Sequence, residues 1–85
     1  MTDTATRIAA VIRAELSNPL RRTPLPEITP EMTLADDLGA HLFDVVGICL
    51  AIEDEFGFEA SDAEFEKCAT VGDFVALVDA KRSAA

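Results

Sequence analysis

From Thr23 to Glu66 the chain contains no lysine and no arginine, while eleven acidic residues lie between Glu31 and Glu66. A surface of that sign repels the phosphates of nucleic acid and the headgroups of anionic membranes, so neither is expected as a partner. No apolar run approaches the roughly 18 residues needed to span a bilayer. No charged-then-apolar leader opens the chain, and the cytoplasm is the expected location. Cysteine is scarce: Cys49 and Cys68 have neither metal-ligand spacing nor a CxxC arrangement, which argues against a zinc site or a disulfide framework. Cys49 falls within an apolar helical pattern, and both thiols are expected to be reduced and structural. His41 is the only histidine, and no evident nucleophile, metal partner or oxyanion loop accompanies it. Gly-rich phosphate loops and paired catalytic carboxylates are missing as well. The chain is not expected to be an enzyme, and no metal is expected.

What is present is enough for one small core. Of 85 residues, 49% are hydrophobic, which suits a single domain over residues 1–85 near the lower size limit for independent folding. The net charge of −9 fits either a solvated acidic surface or one that steers a basic protein partner into contact.

Four helices and no strand pattern are expected. In the first, about Thr4 to Ser17, Ile8, Val11, Ile12, Glu15 and Leu16 recur at helical spacing, the apolar ones forming one stripe with Arg7 and Arg13 facing away. Asp3 or Thr4 is the expected N-cap, and Asn18-Pro19 the stop. A long connection over 18–40 carries four prolines, and Ile28, Met32, Leu34 and Leu38 are placed to anchor it. The second helix is expected from Leu42 to Phe56, ended by Gly57. Val45, Cys49, Ile52 and Phe56 form its core stripe; Phe43, Val46, Gly47, Leu50 and Asp54 lie on another face. A short third helix near 62–67 has Ser61 or Asp62 as its cap. The fourth begins after Thr70, with Asp73 as capping-box partner, Phe74, Val75, Leu77 and Val78 as its apolar face, and Lys81-Arg82 at its C-terminus.

The stretch Leu38-Gly39-Ala40-His41-Leu42-Phe43-Asp44-Val45-Val46, continued by Glu53-Asp54-Glu55-Phe56-Gly57, resembles the centre of acyl carrier proteins. The preceding run from Glu27 to Ala40 follows the same family pattern almost residue for residue. The resemblance implies an all-α, four-helix bundle with a long first loop and a short third helix. It also implies phosphopantetheine carried by a serine at the turn entering the second helix, where the family reads Asp-Ser-Leu. Here those positions read His41-Leu42-Phe43. A leucine side chain has no oxygen with which to form the phosphodiester, so no cofactor is expected at Leu42. Ser17, Ser61 and Ser83 are the only serines in the chain, and none stands in the family motif.

The function left to such a chain is recognition, linked to fatty-acid, polyketide or related acyl metabolism. In the family, the exposed side of the second helix docks partner enzymes through an apolar centre ringed with acids. The matching positions are Phe43, Val46 and Leu50 for the centre, with Asp44, Glu53 and Asp54 around it. Gly47 stands where the family usually has an acid. The expected partner is a basic protein surface, an acyl-metabolism enzyme being the natural candidate, with the chain a monomer or weak homodimer. Two alternatives stay open: noncovalent binding of an acyl chain or similar apolar ligand, with Leu42 and Phe43 as the lip of its cavity, and a true carrier modified at another serine.

Overall fold

The computed structural model describes residues 3–16 and 27–84, and the expected stop at Asn18-Pro19 and the basic segment 20–26 lie outside them. Among the described residues the order is α1 (Asp3–Glu15), α2 (Leu42–Phe56), α3 (Asp62–Glu66) and α4 (Val71–Ala84). No strand is present among them, only an isolated antiparallel bridge between Thr33 and Thr70. None of the helices is long and apolar enough to cross a membrane.

Hydrophobic spacing of three and four residues drives α1 inward through Ala5, Ile8, Ile12 and the adjoining Leu16, all buried. Ile8, Ile12 and Leu16 meet Ile48 and Ile52 of α2 and Val71, Phe74 and Val78 of α4 in one core. The loop before α2 adds Ile28, Leu34, Leu38 and Ala40, with Met32 packed against it. The expected anchors of the long connection are therefore all in place. On α2 the expected stripe is displaced: Ile48 and Ile52 lie fully inside, while Val45, Cys49 and Phe56 flank them. This helix is apolar on more than one side, so periodicity alone does not say which side turns inward.

Two expectations for α1 are corrected by contacts between helices. Asp3 and Thr4 are not caps but belong to the helix itself. Thr4 is buried; its hydroxyl donates to Asp79 Oδ1 at 2.7 Å and accepts from Arg82 Nη1 at 3.1 Å, which ties α1 to α4. Nor does Arg7 face away. Its guanidinium donates to Glu55 Oε2 at 2.6 Å and to the Glu55 backbone carbonyl at 3.1 Å, and stacks 4.4 Å above the Phe56 ring. One side chain thus joins a salt bridge, a cation–π contact and the capping of an orphan carbonyl at the α2 C-terminus, where a cation also suits the helix dipole. Arg82 lies over the same ring at 5.5 Å.

The helix boundaries follow local rules. Gly57 ends α2 in the left-handed region at φ 70°, as expected, its amide donating to the Glu53 carbonyl. Ser61 caps α3 in a complete box with Glu64. Glu64 is also held by Lys81 at 2.8 Å, and that bond, with the Ser61 amide, lowers its pKa. Thr70 caps α4 through the Asp73 amide at 3.2 Å, while the Asp73 carboxylate accepts from the Thr70 and Ala69 amides, which hold its pKa down. The Val71 and Gly72 amides, orphans at a helix start, donate to the carbonyls of Met32 at 2.9 Å and Pro30 at 2.8 Å in the long loop. Gly72 permits that approach, since a Cβ there would lie 3.1 Å from the Pro30 oxygen.

Candidate functional site

The entrance to α2 is built by a short run of local choices. Gly39 adopts φ 66°, a conformation that costs glycine nothing. Ala40 then tucks into the core and bonds back to the Leu34 carbonyl at 2.8 Å. His41 is extended and stands at the N-cap, and its side chain makes no capping hydrogen bond. Only Asp44 closes the turn, accepting from the His41 amide at 3.0 Å. Compared with the reciprocal boxes of α3 and α4, α2 lacks the hydroxyl or carboxylate half, worth about 1 kcal/mol at typical capping sites.

Leu42 is the first residue of α2 and is 76% exposed; Phe43 beside it is 88% exposed. From Gly39 to Val46 the turn holds no serine, threonine, tyrosine or cysteine. The nearest thiol, Cys49, is half-buried, and burial, with Cys68 and acidic neighbours, pushes its pKa up to about 11. It stays protonated at neutral pH and is a poor nucleophile. Cys68 is raised as well, by burial and then by Asp73, and both cysteines are free thiols.

Phe43, Val46 and Leu50, with Leu42 beside them, run along one outward strip of α2; these four are the exposed large hydrophobics among the described residues. Adjacent exposed apolar side chains of this kind mark interaction sites more often than scattered ones do. The expected acids divide into different roles. Asp54 is fully on the surface. Asp44 is half-buried and engaged at the cap, and Glu53 accepts from the Ala60 amide at 2.9 Å, pinning the turn after Gly57. Gly47 does not sit in the middle of the strip but at its edge toward α1. A Cβ there would lie 2.9 Å from Glu15 Oε2. Sequence reasoning placed Glu15 on α1 and gave it no part in this face. No local signal could have found it, because the contact joins two helices.

On the other side of the strip, an open groove of about 340 Å³ lies between α2 and α3, lined by Leu42, Val45, Val46, Cys49 and Leu50 and, from α3, by Asp62, Phe65 and Glu66. Leu42 forms part of its rim. Phe43 does not line it. No group of three or more metal-ligating side chains occurs among the described residues.

The family described as "Phosphopantetheine attachment site" matches residues 7–78. Over 55 residues the chain is 44% identical to the acyl carrier protein of Thermotoga maritima, a stretch that covers 65% of this chain and 68% of that protein. The match takes in α1 from Arg7 onward, α2, α3 and α4 as far as Val78. On that extent of similarity, the chain belongs to the acyl carrier protein family.

Proposed function

We propose that this chain is one acyl-carrier-type domain, acting in the cytoplasm, that carries no arm at Leu42 and works by docking acyl-metabolism enzymes through the outward strip of α2. The observation that supports this is the strip itself: Leu42, Phe43, Val46 and Leu50 stand in solvent beside Asp54, on a stretch of chain free of lysine and arginine. A hydrocarbon occupies the entrance of the helix, and the apolar centre with acids near it remains. The partner's matching surface is an apolar socket flanked by basic side chains, since complementary charge steers encounter and fixes register. The domain itself performs no catalysis.

The first test is the denaturing intact mass of the protein from its source organism. The bare-chain mass is expected; a phosphopantetheine-sized increment would restore the carrier reading that the name of the Thermotoga maritima relative suggests. Docking is tested by capturing acyl-metabolism enzymes on the immobilised chain. Leu50→Glu and Phe43→Asp should each reduce capture more than tenfold, equivalent to about 1.4 kcal/mol or more, with unchanged melting curves. Normal capture by both variants rules out this face.

The groove between α2 and α3 favours a second reading, the noncovalent binding of an acyl chain. A ligand that binds only the folded chain raises its melting temperature in proportion to the logarithm of ligand concentration. Thermal shift with fatty acids and acyl-CoA of graded length tests it, and no stabilisation at any length removes it.

A further inference from the structure

Two local misfits of this fold touch each other. Gly47 sits inside a 15-residue helix, where glycine weakens the helix relative to alanine. Glu15 is the last residue of α1, where a negative charge opposes the helix dipole. Each choice is unfavourable for its own helix, and departures of this kind gather at functional positions. In space Oε2 of the Glu15 carboxylate lies 2.9 Å from where a side chain at 47 would begin. Phe43 and Leu50 are surface neighbours of position 47 at helical spacings of four and three, and Asp54 lies two turns further along the same side. The strip has Glu53 on its α3 side and Asp54 toward its C-terminal end, whereas the acids that α2 has toward α1 are already engaged, Asp44 at the helix cap and Glu55 with Arg7.

We infer that Glu15, reaching across from α1 over Gly47, provides an acid of the docking rim on the α1 side and helps select a partner whose apolar socket is flanked by arginine or lysine. The absent side chain at 47 makes room for it. This inference rests on the docking reading above and adds to it a residue outside α2. Charge at the rim of an interface acts chiefly on association rate and salt dependence, so removing Glu15 leaves the fold intact and slows capture.

The test uses the full chain and a dye-labelled synthetic amphipathic helix whose leucine stripe is flanked by arginines, followed by fluorescence anisotropy. Glu15→Gln should weaken binding about two- to fivefold at low salt, the range of an exposed ion pair, and the difference should close near 1 M salt. Gly47→Ala should raise the melting temperature yet weaken binding, because its methyl group displaces the carboxylate. The double variant Glu15→Gln with Gly47→Glu, which moves the charge back onto α2, should recover the affinity. Wild-type affinity in Glu15→Gln, combined with loss in Leu50→Glu, overturns the role of Glu15 and leaves the docking face standing. Wild-type affinity in Leu50→Glu brings down the docking face and the inference with it. If the wild type sediments as a dimer that Leu50→Glu dissociates, the occupant is a second copy of the chain, and the inference is likewise overturned.

Discussion

The double variant His41→Asp with Leu42→Ser, incubated with coenzyme A and a phosphopantetheinyl transferase of broad specificity, should gain the mass of one phosphopantetheine, while the wild type gains nothing. The geometry behind this is simple. Residue 42 opens α2 and is 76% exposed, so a hydroxyl placed there is accessible to an enzyme. The first turn of a helix offers unpaired amides and a favourable dipole to an incoming phosphate. His41→Asp adds the acceptor that the present cap lacks, worth about 1 kcal/mol of helix stability. Replacing an exposed leucine should change the stability of the fold by no more than about 0.5 kcal/mol. A double variant that stays unmodified would mean that the α2 entrance is not an attachment turn in this chain. A wild type that gains mass would place the arm on another serine. Of the described candidates, Ser61 already accepts from the Glu64 amide as the cap of α3.

The same substitution made in two phenylalanines should give opposite phenotypes. Phe74 is 1% exposed, and its ring lies 6.2 Å from that of Phe65. Phe74→Ala should cost about 3–5 kcal/mol, from lost transfer energy and the cavity left behind. Domains of this size have a total stability on the order of 5–10 kcal/mol, so much of the population should unfold or melt at far lower urea. Phe43, 88% exposed, contacts little in the folded chain, and Phe43→Ala should stay within about 0.5 kcal/mol of wild type while weakening partner capture. Urea denaturation of both variants beside a capture assay separates core from contact surface. Equal destabilisation by the two would contradict the assignment of the α2 strip as unpartnered.

The features legible in the sequence are those decided over a few neighbouring residues. Gly57 needs only a left-handed turn to end α2, and the Thr70–Asp73 and Ser61–Glu64 pairs need only a spacing of three. The anchors Ile28, Leu34 and Leu38 were legible because a long proline-bearing loop must bury something to hold its place. What escaped depends on neighbours remote in the chain. Thr4 reads as a cap until Asp79 and Arg82 are brought beside it. Arg7 reads as solvent-facing until Glu55 and Phe56 are beneath it. Ile48 was hidden because α2 carries apolar residues on both its inward and outward sides, and only α1 and α4 decide between them. For the same reason the exposed apolar strip reads plainly as residue types, while Glu15 at its margin does not.

The contact between the long loop and the start of α4 links the order of two segments about forty positions apart in the chain. The amides of Val71 and Gly72 find their acceptors on Met32 and Pro30, so the first turn of α4 is complete only when the loop has docked. Neither part opens alone without exposing unpaired backbone groups, which makes them a single cooperative unit of the kind seen when local unfolding is resolved by hydrogen exchange. That unit also contains Leu34 and Leu38, immediately before the entrance to α2. The exposed strip of α2 is therefore supported at its base by the same contacts that complete the first turn of the last helix.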